Sequence, residues 1–390
     1  MMLTDHQGSL AVQGSNGSRH PSEVDVSVLV PVRNEERHIA ETVSAMQAQR
    51  YEGEIEFLFM DGRSTDRTRE ILERLALEDR RVHVLDNPAG TTPNGLNVGL
   101  GRARGEYVAR MDGHSIYPPD YLAKGIERLG RGDVEWVSGP QVPHGEGIWS
   151  RGVALALGSR MGVGGSSKWG LDGGDEVELD TGVFTGVWRR STLEAHDGWD
   201  EGFPVNQDSE LAARVRKAGG RLVCLPEIGA RYIPRDSLRS LGRQYWRFGY
   251  YRAKTSRRHP ESMRRSHILA PGLSLVLLAG LPGVRPKPIA RLARTGLAAY
   301  GLTVVATSIG SVQRGGARDA ATLPSVFPTM HLAWGFGFLA GAARFGPPLR
   351  SLARIAGLRR PPAPSHRSRV SPANALNGNA TRTHGGGHGR

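Results

Sequence analysis

Short apolar runs rich in β-branched residues alternate with segments of helical period along the first third of the chain. Turn residues bound each apolar run, which predicts buried strands. These strands lie at 26–32, 55–60, 82–85 and 107–111. The predicted helices between them lie at 35–49, 66–77 and 96–103. Strands and helices that alternate at this spacing indicate βαβ units, so we predict an α/β fold with a mainly parallel, Rossmann-like central sheet.

The pattern becomes less regular beyond the fourth strand. Residues 130–180 are rich in Gly, Ser and Trp and show few clear periods, which predicts a flexible loop over a site. A strand at 180–188, a helix at 208–218 and a strand at 222–225 follow.

Three Gly-rich apolar stretches follow residue 265, each near the length that spans a bilayer. They lie at 267–284, 295–312 and 323–343. If all three crossed, the basic residues between the first two would lie outside, against the positive-inside rule. We therefore predict two spans and one interfacial segment, with the loop that carries Arg314, Arg318 and Asp319 outside. A soluble helical domain is the alternative, but glycine weakens soluble helices and is tolerated in membrane helices.

The chain has 390 residues and a net charge of +13, which nucleic acid, anionic lipid or a phosphorylated substrate could each explain. The basic residues cluster at 235–265, 285–294 and 344–360, between apolar segments, which favours a membrane edge. Because zinc-finger spacing and RRM-type aromatic signatures are missing from the sequence, we predict no nucleic-acid partner. The polar N-terminus lacks the pattern of a secretory signal, which places the folded region on the cytoplasmic side.

Composition divides the chain into four predicted regions. They are a disordered tail at 1–24, an α/β domain at 25–258, a membrane-associated helical region at 259–345 and a basic, disordered tail at 346–390. The single cysteine, Cys224, lies in an apolar run, which indicates a small buried hydrophobe and excludes an internal disulfide.

Three polar motifs come directly after predicted strands, where parallel sheets bind their ligands. They are PVRNEE, DGRSTD and DGH, after the first, second and fourth strands. Asp61 can accept hydrogen bonds from a base or ribose, or form an Asx-turn while Asp66 caps the next helix. Asp112 and His114 can hold one divalent cation, and the imidazole favours Mn²⁺ over Mg²⁺. A turn with a surface histidine is the alternative for this pair.

Two further segments carry candidate chemistry. Asp208 opens a predicted helix, where the helix dipole keeps a carboxylate ionised, as a base for an alcohol must be; helix capping is the alternative. Arg247 follows in a basic, aromatic segment with Gln244 and Phe248. Arginine can grip a diphosphate and an aromatic ring can stack on a sugar, whereas an amphipathic helix at a membrane surface explains the same pattern.

The stretches SVLVPVRNEE, FMDGRSTD, RMDGH, NQDSELAARVRKAGG and RQYWRF occur in the order of the inverting, GT-A-fold family 2 glycosyltransferases. From about residue 26 to 271 the chain resembles this family, nearest to its succinoglycan-biosynthesis, ExoA-like branch. The resemblance implies a nucleotide-sugar pocket near the first two strands. The residues implied there are Pro31, Arg33, Glu35 and Asp61.

The same resemblance implies roles for the later motifs. Asp112 stands at the first aspartate of the family's DxD motif and His114 replaces the second, so a metal-bound UDP-sugar is implied. Asp208 matches the acidic position of the catalytic base, with Gln207 beside it in place of Glu. The residues that resemble the Q-x-x-R-W motif, with Phe for Trp, are Gln244, Arg247 and Phe248.

The resemblance therefore predicts a metal-dependent, inverting hexosyltransferase at the cytoplasmic side of the plasma membrane. The implied partners are a UDP-sugar donor, a polyprenyl-linked saccharide acceptor, membrane lipid and polysaccharide-assembly proteins. Two alternatives stay open, a sugar nucleotidyltransferase and a non-catalytic saccharide-binding subunit. The first would need a Gly-rich signature loop after the first strand, and PVRNEERH has no glycine.

Overall fold

The computed structural model describes residues 24–164, 174–183 and 185–358. Its strands are β1 (Val26–Val32), β2 (Ile55–Asp61), β3 (Val82–Asp86), β4 (Tyr107–Arg110), β5 (Ser115–Ile116), β6 (Trp136–Ser138), β7 (Gln141–Pro143), β8 (Val177–Glu178), β9 (Gly186–Arg189), β10 (Leu222–Cys224) and β11 (Ala230–Tyr232). Its helices are α1 (Ile39–Gln47), α2 (Thr68–Glu78), α3 (Thr92–Arg102), α4 (Tyr121–Gly130), α5 (Ile148–Leu157), α6 (Arg160–Val163), α7 (Arg190–Ala195), α8 (Gln207–Lys217), α9 (Leu238–Arg258), α10 (Leu269–Ala279), α11 (Lys287–Gly310), α12 (Val312–Ala320), α13 (Leu323–Phe345) and α14 (Leu349–Ile355).

The main sheet runs in the order β3-β2-β1-β4-β9-β6-β10-β8. Strand β1 pairs in parallel with β2 and β4, β2 with β3, and β6 with β10, whereas β9 and β8 run antiparallel to their neighbours. The prediction of an α/β fold with a mainly parallel sheet is confirmed. A small sheet in the order β5-β11-β7 lies beside the main one.

Both faces of the main sheet are buried, which is why its first strands read as continuous apolar runs. Val28 and Phe57 belong to a core cluster that includes Ile39 of α1, while Leu29 and Met60 belong to a cluster on the other face. That second cluster contains three fully buried tryptophans, Trp136, Trp188 and Trp199.

The prediction of a flexible loop at 130–180 is wrong over much of this range. It contains β6, β7, α5, α6 and β8, and only residues 165–173 of it lie outside the described residues. Helix α5 packs its apolar face against α13, in a cluster that contains Val153, Leu157 and Phe327. This partner is far away in sequence, so the local pattern gave no sign of it. The strand predicted at 180–188 is limited to β9 at its C-terminal end.

Helix α9 packs along the length of α13, and glycines allow the close approach. A Cβ added at Gly249 would lie 1.9 Å from the Trp334 carbonyl oxygen, and one at Gly337 would lie 2.2 Å from that of Trp246. One side of α13 is therefore covered by a helix that carries many arginines.

Two helices, α11 and α13, are long and apolar enough to cross a membrane by length and composition. Helix α10 is shorter, in agreement with the prediction that the first apolar stretch does not span. However, the loop predicted to lie outside contacts the α/β domain. Asp319 of α12 forms an ion pair with Arg151 of α5 at 3.0 Å, and Arg314 donates to the Gly158 carbonyl oxygen. These contacts contradict the prediction that the loop and the α/β domain lie on opposite sides of the membrane.

The disorder predicted at 346–390 is wrong over the first part of this range. Helix α14 lies within 346–390, and its buried Ser351 donates to the carbonyl oxygen of Ser256 at the end of α9. The remaining tail predictions, at 1–23 and 359–390, concern residues outside the described ranges. The boundary predicted after residue 258 coincides with the last residue of α9.

Candidate functional site

The carboxyl ends of β1, β2 and β4 meet at one edge of the main sheet. Val32 pairs with Asp61 at the end of β1 and β2, and on the other side Leu29 pairs with Arg110 of β4. The segments that follow these strands therefore lie side by side. Directly after β4, the backbone N–H of Asp112 donates to the Tyr117 hydroxyl at 2.8 Å, which fixes the start of the turn.

A buried arginine connects two of the predicted site residues. Arg110 is 3% exposed; its Nε donates to Asp112 at 2.9 Å and its Nη1 donates to Asp208 at 2.6 Å. Burial opposes its charge, but the two carboxylates outweigh burial and raise the pKa of Arg110. We call this arrangement the Arg110 clamp. In this clamp one guanidinium group binds both Asp112, the predicted metal ligand, and Asp208, the predicted base.

The side chain that orients His114 is Glu35, not Asp112. Its Nδ1 lies 3.1 Å from Oε1 of Glu35, which follows β1. Burial lowers the pKa of His114, whereas Glu35 and Asp112 raise it, and the net direction is upward. With Nδ1–H directed at Glu35, the other ring nitrogen keeps its lone pair for a metal. Glu35, predicted in the uridine pocket, is thus positioned to support His114.

Asp208 lies in the first turn of α8, after Asn206 in the left-handed conformation (φ 65°). The Asn206 side chain donates to the carbonyl oxygen of Phe248 at 3.1 Å, which ties the start of α8 to α9. This contact holds the predicted base against the helix that carries the Q-x-x-R-F residues. The partial positive charge of the helix N-terminus favours an ionised Asp208.

A cavity of about 1080 Å³ collects most of the predicted residues. Its lining includes Asp112, His114, Asp208, Gln244, Arg247 and Phe248. Gln244 donates to the Tyr232 hydroxyl at 3.2 Å, while the Arg247 side chain is exposed and available to a ligand.

Four predicted nucleotide-binding residues, Pro31, Arg33, Glu35 and Asp61, lie outside this lining, although they belong to the same edge of the sheet. Pro31 is half-buried in β1, and exposed Arg33 donates to the Gly90 carbonyl oxygen at 3.3 Å. Asp61 is 5% exposed and accepts from the backbone N–H of Ser64, three residues later, at 3.3 Å. Their nucleotide-binding roles stay predictions.

The sequence reasoning missed Arg110, although a signal was present. A charged residue within a buried strand needs a partner, and strand periodicity puts positions 110 and 112 on the same side of the chain. Asp112 was therefore the partner that the sequence could have named. The contact with Asp208, which is 98 residues away, could not be read from local spacing.

The site lacks a complete metal cage of its own. In the described parts of the chain, no three His, Cys, Asp or Glu side chains are grouped to hold a metal ion. Asp112 and His114 supply one carboxylate and one imidazole, so further ligands would have to come from a substrate and water. This incomplete donor set fits a cation that arrives with a diphosphate.

Comparisons with known proteins agree with this geometry. The sequence profile of "Glycosyl transferase family 2" matches residues 27–177. The chain is also 30% identical over 317 residues to "Succinoglycan biosynthesis protein ExoA" of Rhizobium meliloti, across 80% of this chain and 93% of that protein. The chain belongs to glycosyltransferase family 2. The predicted family is thereby confirmed, and with it the general activity of a glycosyltransferase.

Other relatives extend the comparison. A dolichyl N-acetyl-alpha-D-glucosaminyl phosphate 3-beta-D-2,3-diacetamido-2,3-dideoxy-beta-D-glucuronosyltransferase of Methanococcus voltae is 26% identical over 234 residues, 57% of this chain and 71% of that protein. Among solved structures, the mannosyltransferase PcManGT of Pyrobaculum calidifontis in complex with GDP-Man and Mn²⁺ superposes with a TM-score of 0.51. That match has 20% sequence identity and covers 78% of this chain and 87% of the other. The predicted GT-A fold is confirmed.

Proposed function

We propose that this family 2 enzyme transfers a sugar from a UDP-sugar to a hydroxyl of a lipid-linked saccharide, with inversion at C1, in exopolysaccharide or cell-envelope glycan synthesis. The observation that carries the proposal is the convergence of Asp112, His114 and Asp208 on one cavity at the carboxyl edge of the sheet. A nucleotide-sugar pocket is expected at that edge of an α/β sheet.

Asp208 is the proposed base. Its carboxylate lines the cavity and accepts a hydrogen bond from Arg110, so it can take the proton of an acceptor hydroxyl once that hydroxyl displaces the arginine contact. The acceptor oxygen then attacks C1 from the face opposite the leaving diphosphate, and an α-linked donor gives a β-linked product. Arg247 is free to bind the leaving diphosphate and to stabilise its developing charge.

Asp112 and His114 are the proposed protein ligands of a divalent cation. When bound, such a cation neutralises the diphosphate and polarises the leaving group. Glu35 holds the imidazole in the orientation that ligation requires. The presence of Mn²⁺ in the PcManGT structure and the imidazole ligand both favour Mn²⁺ over Mg²⁺.

Three features support a lipid-linked acceptor. The Methanococcus relative is named for a dolichyl-phosphate-linked sugar, and a "Beta-monoglucosyldiacylglycerol synthase" of Nostoc is 28% identical over 220 residues. The cavity is also lined by Leu269 and Leu273 of the apolar helix α10. A soluble saccharide acceptor would not need this apolar lining.

We infer attachment to one leaflet of the plasma membrane from its cytoplasmic side. Large apolar side chains are exposed on the outer faces of α10 and α11. They include Leu275, Leu278, Leu292, Leu302 and Ile309. The other side of the helical region is occupied, since α13 packs on α9 and Asp319 pairs with Arg151. An apolar surface on one side only suits insertion into one leaflet better than two full spans.

Cysteine labelling tests this attachment. Cys224 is fully buried, so a cysteine introduced at exposed position 318 would be the main reactive thiol. We expect a membrane-impermeant maleimide to label Arg318→Cys in inverted vesicles and not in intact spheroplasts, as for the control Arg67→Cys on the α/β domain. Labelling of position 318 in spheroplasts alone would contradict the one-leaflet attachment and restore the two-span topology.

A transfer assay tests the enzymatic proposal. Membranes with the wild type, Asp208→Asn, His114→Ala or the control Asp120→Asn, an exposed carboxylate beside a helix N-terminus, are given labelled UDP-sugars and lipid extract, with Mn²⁺ or chelator. We expect Mn²⁺-dependent transfer that Asp208→Asn abolishes, His114→Ala weakens and Asp120→Asn leaves unchanged. Transfer that survives Asp208→Asn at the wild-type rate would refute the base, and transfer in chelator would refute the metal.

A further inference from the structure

Arg252 is a buried cation that forms no ion pair with a carboxylate of the described residues. It is 8% exposed, lies on α9 and lines the cavity. Its Nη2 donates to the Ser209 hydroxyl at 3.1 Å, whereas its Nη1 is buried without a hydrogen-bond partner. Burial lowers the pKa of Arg252 to about 10, so the side chain stays protonated at neutral pH. Such an arrangement is costly unless an anion completes it.

The position of Arg252 connects it to the reaction centre. Its partner Ser209 directly follows Asp208, and the Ser209 hydroxyl also accepts a hydrogen bond from Thr181 at 3.1 Å. A ligand that contacts Arg252 from the cavity therefore lies in the same cavity as the proposed base. The charge of Arg252 is separate from the Arg110 clamp, which already has two carboxylates.

The cavity as a whole is strongly basic. Seven arginines and two aspartates line it. Within the described residues, five of these arginines form no ion pair with a carboxylate, namely Arg160, Arg235, Arg243, Arg247 and Arg252. A donor diphosphate that arrives with a divalent cation is already largely neutralised. The excess of positive charge therefore suits a second anionic ligand.

We propose that Arg252 binds a phosphate of the lipid-linked acceptor, an inference that rests on the proposed function. The apolar part of the cavity favours the acceptor over the donor. Leu269, Leu273 and Trp334 line the same cavity as Arg252, and the two leucines lie on α10, which carries part of the proposed membrane surface. A sugar linked through phosphate to a hydrocarbon chain supplies the matching groups, namely a hydroxyl for Asp208, an anion for Arg252 and an apolar tail for the leucines.

A binding experiment tests this subsite without relying on transfer. The full chain in detergent, saturated with UDP and Mn²⁺, is titrated with farnesyl diphosphate or inorganic pyrophosphate while its melting temperature is followed. Variants are Arg252→Gln, Arg252→Lys and Arg239→Gln, the last an exposed arginine on the same helix outside the cavity lining. We expect farnesyl diphosphate to stabilise the wild type and Arg239→Gln, with a Kd raised about 10- to 100-fold by Arg252→Gln and less by Arg252→Lys.

The unliganded variant provides a second readout. Removal of an unpaired buried charge should leave the melting temperature of Arg252→Gln unchanged or raise it, whereas loss of a merely structural arginine would lower it. If Arg252→Gln does not fold, that structural role is established and the proposal is overturned. Stabilisation by UDP should be the same in the wild type and in both Arg252 variants.

The remaining outcomes separate the alternatives. Equal binding of farnesyl diphosphate by all variants, or loss of UDP binding in Arg252→Gln, would overturn the acceptor-phosphate role. Pyrophosphate that binds as tightly as farnesyl diphosphate would overturn the lipid-linked source. If the Arg252-dependent binding is found but no donor supports transfer, the subsite stands and the proposed transfer reaction fails.

Discussion

The Arg110 clamp offers a direct test of how the site is held together. Arg110→Met keeps much of the apolar bulk of the side chain and removes its charge and all of its hydrogen bonds. Asp112 and Asp208 both lose their shared cation. The two carboxylates line one cavity, so the variant removes the one buried cation that binds both of them.

The expected cost can be worked from burial and geometry. Breaking a buried ion pair by removal of one partner costs about 3–5 kcal/mol. Arg110 is fully buried, but the side chains of Asp112 and Asp208 are 17% and 14% exposed, so water in the cavity can partly replace the lost cation. We therefore expect the lower end of the range, about 3 kcal/mol, or a decrease in melting temperature of about 6 °C.

Thermal unfolding in detergent measures this effect against a matched control. Arg67→Met removes an arginine from an exposed pair with Glu70, whose loss should cost less than about 1 kcal/mol. A second arm adds Mn²⁺, which should stabilise Arg110→Met more than the wild type because Arg110 no longer competes for Asp112. A melting temperature for Arg110→Met within about 1 °C of the Arg67→Met value would refute the clamp. Equal stabilisation by Mn²⁺ in both proteins would refute the competition.

Three further predictions concern stability and reactivity. Gly337→Ala should lower the free energy of unfolding by about 1–3 kcal/mol because its Cβ would meet α9, while Gly301→Ala, in open space on a helix, should raise it by up to about 1 kcal/mol; opposite signs in urea unfolding are the check. Burial raises the pKa of Cys224 to about 12, so iodoacetamide at pH 8 should modify it only in urea, and rapid native alkylation would contradict its burial. Arg81 lowers the pKa of Asp79 to about 2, so this pair should contribute about 1–2 kcal/mol above pH 4 and lose it as the pH falls towards 2; a deficit in Asp79→Asn that does not shrink on acidification would contradict this.

The sheet and the position of the site were predictable because their causes are local. Strands 26–32, 55–60 and 107–111 are buried on both faces, so their apolar runs are continuous and their ends carry polar motifs. Parallel pairing then brings Asp112 and His114 to the same edge as the end of β1. The remaining candidate site residues, including Asp208, were predicted from the family resemblance that the ordered motifs carry.

The errors have a different physical origin, since they concern contacts between distant segments. Helix α5 owes its burial to α13, and the Arg110 clamp joins residues 98 positions apart. Glycines in 323–343 are tolerated in a membrane helix, which is why the sequence favours one there, and α13 is long and apolar enough for it. Gly337 and Gly341 approach the backbone of the arginine-rich helix α9. Composition gives a helix the ability to pack closely, but it does not identify the partner.

The same packing explains how a basic helix can serve an enzyme that works on amphiphilic substrates. Because α13 covers one side of α9, the arginines of α9 are divided between the cavity and the protein surface, with Arg247 and Arg252 in the cavity lining. Helix α10 packs on α13 and completes the apolar end of that cavity. Asp208, the base that we propose, therefore lines a cavity that joins the carboxyl edge of the sheet to apolar side chains of α10. An acceptor anchored in one leaflet could reach Asp208 without leaving the membrane.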